Sequence, residues 1–371
     1  MRIAHVLSSF GMGGQERVAL DLASGQLARG HEVTAVSLAP PPDGPLAAEL
    51  AARGIALRTV PKRDGFDPTL PIRLALHFVQ LHLDIVHTHN PQPLIYGALA
   101  SKCARAGVVH TKHGANPDGG RRLRLRRAAA RFADVFVAVS ETTAEIARRN
   151  REVGERKLRT IPNGIDLSRF FPDASARAEV RRELGIPEDA WVAGTVGRLA
   201  PEKEQALLIR ALAPLLAKNP ARPRHLLIVG DGPERARLED AVAALGEPGT
   251  RVHLTGARKD VPRLLRALDA FVLSSSTEGL PLVIPEAMAS GLPVVSTAVG
   301  GIPGVVEEGE TGFLVAAGDG AALAARLERL ASEPALVERF GRRARQIALD
   351  RYSADRMVRD YLDVYGEILN P

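Results

Sequence analysis

Short apolar runs alternate with longer amphipathic stretches from the first residues of the chain. RIAHVLSS (2–9), HEVTAVSLA (31–39), DIVHTH (84–89), GVVHTKHG (107–114) and DVFVAVS (134–140) read as strands. Between the first two, QERVALDLASGQLARG (15–30) reads as a helix closed by Gly30. The rhythm restarts at WVAGTVGRL (191–199) and continues through HLLIVGDG, RVHLTG, AFVLSSS, LPVVST and GFLVAA. Strands separated by helices imply a parallel sheet with crossover connections. The pattern therefore predicts an α/β chain made of two successive Rossmann-like units. Pro, Gly and Asp punctuate PNGIDLSRFFPD, which places the linker near Asp166–Pro172.

Polar residues concentrate where the strands end: Gly11 to Gln15, His87, His89, His113, Arg198, Asp231 and Ser274 to Glu278. In such sheets ligands bind beyond the carboxyl ends of the strands. Two such edges facing each other would form an interdomain cleft. The length of 371 residues suits two domains rather than one core.

Composition narrows the partner. The net charge of +6 favours an anionic ligand: nucleic acid, a phosphorylated small molecule or anionic lipid. Aromatics make up only 4% of the chain, which argues against a base-stacking platform, so no nucleic-acid partner is expected. The N-terminus does not read as a signal peptide, and no run approaches the ~18 apolar residues of a membrane span. With a single cysteine, Cys103 in GALASKCARAG, no intramolecular disulfide can form, and this residue reads as an inert buried thiol. A reducing, cytoplasmic setting is the expectation.

Five stretches could carry chemistry. SSFGMGGQER places a glycine-rich turn between a strand and a helix, where backbone N–H groups suit a phosphate. Gly11, Gly13 and Glu16 give G-x-G-x-x-E, without the third glycine of a dinucleotide fingerprint or a Walker lysine; this disfavours a dehydrogenase. In GRLAPEKEQALLIRAL, Arg198 and Lys203 could clamp a diphosphate or could be two solvated charges. His87, His89, His110 and His113 show H-x-H and H-x-x-H spacing. No local carboxylate or cysteine completes a zinc set, so a polar contact from His113 to a substrate is preferred to a metal. His87 and His110 read as structural. The basic run RRLRLRRAAARF distributes its arginines around a helix, as a solvated face or as a surface for anionic lipid or a pyrophosphate-bearing acceptor.

The fifth stretch, TEGLPLVIPEAMASGLPVV, carries Glu278 and Glu286 in an otherwise apolar setting. Glu278 falls on a strand-to-helix loop. Pro285 reads as the first helical position and Glu286 as an acid in the first turn. Ionised carboxylates only accept hydrogen bonds, so hydroxyl pairs of a sugar are natural partners. The bland alternative for Glu286 is a charge favoured by the helix N-terminus.

Taken in order, GMGGQERVALDLA, DIVHTHN, TKHG, PNGID, VGRLAPEKEQ, LLIVGDGP, LTGARKDVPRLLRALDAFVLSS, EGLPLVIPEAMASGLPVVST and GGIPGVVEEGETGFLV resemble the retaining glycosyltransferases of family 4. The resemblance spans nearly the whole chain, and its GGQER opening is similar to the bacterial GGxER subgroup. It implies a GT-B fold: an N-terminal acceptor-binding domain, residues 1–168 with 350–371 returning to it as a crossing helix, and a donor-binding domain, 169–349. It implies transfer of a hexose or N-acetylhexosamine from a nucleoside diphosphate sugar, with UDP the favoured carrier, to a hydroxyl of a glycan, lipid-linked or small-molecule acceptor. His113, Arg198, Lys203 and Glu278 would serve the reacting sugar and diphosphate. Gly13, Gly14, Gly256, Arg258, Gly279, Leu280, Pro281 and Glu286 would hold the donor. Gln15, His89, Asn90 and Arg124 are the acceptor-side candidates. No cofactor and no metal are expected, since no Asp-x-Asp occurs. Peripheral contact with the inner face of an anionic membrane would run through Arg121–Arg131. One departure stands out: many similar chains carry glycine where Glu204 follows Lys203. The alternatives are a sugar-nucleotide epimerase of the same fold and a non-catalytic sugar-nucleotide binding protein.

Overall fold

The computed structural model describes residues 1–11, 13–40, 44–114, 119–218 and 222–370; Met12 of the glycine-rich turn lies outside them. The chain divides into two compact units, Met1–Ile165 with Tyr352–Pro371, and Asp166–Arg351. The N-terminal unit is built on seven parallel strands: β1 (Arg2–Leu7), β2 (Glu32–Ser37), β3 (Ala56–Thr59), β4 (Ile85–His89), β5 (Gly107–Lys112), β6 (Val135–Ala138) and β7 (Leu158–Thr160). Their order is β3-β2-β1-β4-β5-β6-β7, with the reversal between β1 and β4. The C-terminal unit repeats the plan with β8 (Trp191–Val196), β9 (Arg224–Val229), β10 (Val252–Leu254), β11 (Ala270–Leu273), β12 (Val294–Thr297) and β13 (Gly312–Val315). Here the order is β10-β9-β8-β11-β12-β13, reversing between β8 and β11. Each sheet thus has a switch point, where diverging loops leave room for a ligand.

The central strands read clearly because they are covered on both faces. All five residues of β4 and all four of β11 are buried. Two strands, β3 and β7, were not legible. Both lie at sheet edges, are three or four residues long and carry an arginine, Arg58 or Arg159. An edge strand is half solvated, so it lacks the continuous apolar run that marks a central one. The ends of several expected strands, such as Ser274–Ser276 and Gly197–Leu199, belong to the following loops.

The last helix, Ala354–Leu369, is part of the N-terminal unit. The chain returns at a parallel bridge between Ile165 and Ser353, with Ile165 N bonded to Tyr352 O and Ala354 N to Ile165 O, both at 2.8 Å. Ser353 caps the helix by accepting from Arg356 N at 3.1 Å. Its apolar face lies on the helix Gly14–Leu27: a Cβ on Gly25 would sit 2.5 Å from Val358 Cγ2. Tyr361 and Tyr365 on the same face are buried. The boundary therefore falls between Ile165 and Asp166 and between Arg351 and Tyr352, three and two residues from the bounds that the resemblance implies.

Two local expectations are corrected. Cys103 is exposed at the end of the helix Pro91–Cys103, because its neighbours at that end, Lys102 and Ala104, also turn toward solvent. The basic helix Gly120–Ala130 is not wholly solvated: Arg126 is buried, with Nε 3.3 Å from Glu152, which also takes Lys112 at 3.1 Å.

Candidate functional site

In the C-terminal unit the charged candidates meet at the carboxyl ends of β8 and β11. β8 ends at Val196 and the chain runs through Arg198 into a single 3-10 turn, Pro201–Lys203. Lys203 Nζ reaches Glu278 Oε1 at 2.5 Å, and Ser275 Oγ donates to the same oxygen at 2.6 Å. Glu278 is nearly buried and Lys203 one-fifth exposed, so the pair lies in a half-shielded recess. Arg198 points outward, bonded to Glu202 Oε1 at 2.7 Å. The same Glu202 offers its carbonyl oxygen to Ser276 N at 2.9 Å, which ties the two loops together. Ser274 Oγ donates to the carbonyl oxygens of Lys203 and Glu204. Lys203 in the recess and the exposed Arg198 are thus each balanced by a carboxylate, on loops stitched by serines.

Glu204 explains the departure noted in the sequence. Its backbone is left-handed, φ +49° and ψ +36°, a conformation that favours glycine. The turn Thr277–Leu282 leads into the helix Val283–Ala289, in which Pro285 is the third residue rather than the first. Pro is tolerated there because the N–H groups of a first helical turn have no partner within the helix. Glu286 lies in that turn and is half-buried. Gly279 accepts from Gly301 N at 2.6 Å, and Gly300, at φ +58°, faces the carbonyl oxygen of Glu278. Leu280 is buried and anchors the loop. Gly256, at φ +72°, lies two residues beyond β10, and its carbonyl accepts from Gly230 N at 2.9 Å. Arg258 is committed elsewhere: Asp260 and Glu183 each hold it at 2.8 Å, and both raise its pKa.

In the N-terminal unit the histidines form a stack at the carboxyl ends of β1, β4 and β5. His89 Nδ1 lies 3.1 Å from His113 Nε2, and Asn90 Oδ1 accepts from His113 N at 3.2 Å. His89 and Asn90 therefore hold His113 from behind. His89 is buried with both ring nitrogens engaged. Burial pushes His113 down to about 4 and His87, His89 and His110 well below the usual histidine value. Ring nitrogens of His5, His87 and His89 lie within 4.8 Å of one another. Each is already bonded to a protein partner, and among the described residues no carboxylate joins the group.

Gly13 caps the helix Gly14–Leu27, and nothing crowds Gly14. Gln15 donates to Glu16, whose carboxyl pKa is raised by burial. In the same unit, a cavity of about 540 Å³ opens on the loops after β3, β4 and β5. Phe66, Tyr96 and Leu125 give it apolar walls, while Lys62, Arg121 and Arg122 add positive charge. Arg124 is exposed and does not line it, because it sits on another face of the helix. The sequence does not single out Gly300, Lys62, Tyr96, His5 or Gln26. Only His5, a polar residue inside an apolar strand, carried a local signal.

Comparison with known proteins follows from this geometry. The model "Glycosyltransferase Family 4" matches residues 12–169 and "Glycosyl transferases group 1" matches 176–347. A D-inositol 3-phosphate glycosyltransferase of Salinispora arenicola is 33% identical over 77% of this chain and 69% of its own length. A UDP-Gal:alpha-D-GlcNAc-diphosphoundecaprenol alpha-1,3-galactosyltransferase of Escherichia coli is 32% identical over 64% of this chain and 63% of its own. The structure of Anabaena HepE in complex with UDP superposes with a TM-score of 0.88 at 26% identity, covering 99% of this chain and 100% of that one. With both halves matched, a parallel sheet in each unit and a relative 33% identical over 77% of this chain, the chain belongs to glycosyltransferase family 4, the enzymes that transfer sugars from nucleotide donors.

Proposed function

We propose that the protein is a retaining hexosyl- or N-acetylhexosaminyltransferase that uses a UDP-sugar and delivers the sugar to a hydroxyl of an anionic acceptor. The observation that carries this reading is the recess of Lys203 beside Glu278, with the exposed Arg198 on the same loop, at the switch point of the C-terminal sheet. A departing nucleoside diphosphate gathers negative charge, and preorganised cations stabilise it. Lys203 would exchange Glu278 for phosphate oxygens, freeing that carboxylate to accept from a sugar hydroxyl. Glu286, with the acceptor-only chemistry of a carboxylate, would hold the ribose hydroxyls. The backbone of Gly279 and Leu280 would border the sugar and phosphates; in the N-terminal unit, Gly13 and Gly14 would offer backbone to a phosphate and His113 a polar contact to a sugar. Neither Glu278 nor Glu286 is assigned as a nucleophile: Glu278 is already bonded to Lys203 and Ser275, which suits binding. A same-face substitution, assisted by a donor phosphate oxygen, accounts for retention.

UDP is favoured by the complexes of HepE with UDP and with UDP-glucose. The anionic acceptor is favoured by Lys62, Arg121 and Arg122 around the N-terminal cavity, and by relatives named for inositol 3-phosphate and for diphosphoundecaprenol. No helix among the described residues is long and apolar enough to cross a membrane. We place the enzyme in the cytoplasm, with peripheral contact to the inner membrane face through the arginines of Gly120–Ala130.

A thermal-shift panel of UDP-, GDP- and ADP-sugars tests the donor. A shift with UDP-sugars alone is expected; a larger shift with another base would overturn the UDP assignment, and none at all would overturn the donor site. Glu286→Ala should weaken donor binding by about 1.5–3 kcal/mol, the range for a charge-assisted hydrogen bond. Arg198→Ala with Lys203→Ala should lower kcat more than it raises KM; normal turnover in that double variant would sink the leaving-group role.

A further inference from the structure

An unbroken line of side-chain hydrogen bonds runs through the N-terminal unit and ends at His113. Gln26 Nε2 donates to Tyr365 Oη at 3.3 Å, and Tyr365 Oη also lies 2.6 Å from His87 Nδ1. Gln26 Oε1 lies 2.8 Å from His5 Nε2. His5 Nδ1 is 3.0 Å from His89 Nε2, and His89 Nδ1 is 3.1 Å from His113 Nε2. Gln26, His5 and His89 are all buried. At the end of the line, His113 Nδ1 is buried and has no hydrogen-bond partner among the described residues.

Such a line has a direction. A neutral imidazole carries one N–H and one bare nitrogen. Because the Gln26 amide nitrogen faces Tyr365, its oxygen faces His5, and only an N–H can answer it. The His5 proton is then on Nε2, and His5 Nδ1 must accept. His89 donates from Nε2 and accepts at Nδ1. His113 therefore also donates from Nε2, which leaves its Nδ1 bare. The branch through His87 is consistent with this sense. Tyr365 spends its single proton on His87 Nδ1, and His87 Nε2–H meets Thr111 Oγ1 at 2.7 Å. Thr111 in turn lies 2.8 Å from Tyr361 Oη.

We propose that Gln26, His5 and His89 are positioning residues that lock His113 as the Nε2–H tautomer, so that its Nδ1 acts as a hydrogen-bond acceptor for a hydroxyl of a sugar substrate. The lock stands on the geometry above, while its ligand rests on the sugar-nucleotide reading. The burial that keeps these rings neutral maintains the one-proton count on which the direction depends. The specificity follows from charge: a bare ring nitrogen attracts an O–H and repels a carboxylate. A sugar with a hydroxyl facing His113 is therefore selected over a deoxy or fluoro analogue, and over a uronic acid that presents its carboxylate there.

The tautomer is read in the full-length protein, without any ligand, by nitrogen NMR of histidine-labelled protein, with His113→Gln supplying the assignment. Wild type is expected to show a protonated Nε2 and a bare Nδ1 on His113. Gln26→Leu removes the acceptor that sets the direction and should leave His113 as a mixture of tautomers. Gln26→Glu keeps an oxygen facing His5 and should restore the wild-type signal. In turnover assays, Gln26→Leu should raise KM for the sugar substrate about three- to ten-fold, the loss of one modest hydrogen bond, with kcat little changed. A protonated Nδ1 in wild type, as turning the Gln26 amide over would produce, overturns the proposal. So does a bare Nδ1 that persists unchanged in folded Gln26→Leu. If the tautomer is as expected but no sugar nucleotide binds, the donor reading fails and the lock stands; if a sugar substrate binds equally well without the facing hydroxyl, the specificity claim fails.

Discussion

Glu204 occupies left-handed backbone, at φ +49°, immediately after the lysine of the donor recess. A non-glycine residue there costs about 1–2 kcal/mol, and glycine removes that strain while losing roughly 0.5–1 kcal/mol to chain entropy. Glu204→Gly is therefore expected to be near neutral or slightly stabilising in urea unfolding. Glu204→Val, β-branched in the same backbone, should destabilise by about 1–2 kcal/mol and raise KM for the donor. The sequence displayed the unusual residue but not its torsion, which is fixed by Ser274 holding the carbonyl oxygens of Lys203 and Glu204. Lys203 and Glu278 were likewise legible as types, 75 positions apart, but their ion pair was not.

At the scale of elements, the donor loop depends on a second loop threaded against it. A Cβ at Gly300 would collide with the carbonyl oxygen of Glu278, and Gly301 N bonds to Gly279 O at 2.6 Å. Gly300→Ala should lower stability by about 1–3 kcal/mol through overpacking and backbone strain together. It should also displace Glu278 and so cut kcat/KM; an unchanged kcat/KM would show that the two loops are not coupled. The order of strands and crossover helices was readable, since each central strand is an apolar run of its own. Edge strands β3 and β7 were not, because pairing on one side gives a short segment no internal pattern.

For the whole molecule, nine histidines with depressed pKa values set the response to acid: His5, His31, His77, His87, His89, His110 and His113 in one unit, His225 and His253 in the other. Their ordinary value is 6.5, and burial pushes His5, His113 and His225 to about 4. Between those values the unfolded chain binds protons that the folded chain refuses. Their neutral burial is thus without penalty above about pH 6.5, and stability falls as pH drops toward 4. Each such ring adds a slope of up to about 1.4 kcal/mol per pH unit within the window. Urea unfolding at pH 7.5, 6 and 5 should show this loss before the ion-paired carboxylates begin to titrate, and His5→Phe should flatten it. Stability that stays level from pH 7.5 to 5 would contradict the neutral stack.

The sequence by itself determined the two α/β units, the loops that bear the charged groups and the family, because strand hydrophobicity and turn residues are local properties written in consecutive positions. Only the tertiary structure decided which groups meet. Gln26, His5, His89 and His113 come from a helix, two strands and the loop after a third strand, and Tyr361 and Tyr365 from a helix more than two hundred residues later. A hydrogen bond depends on a separation of about 3 Å in space, and nothing in the spacing along the chain encodes it.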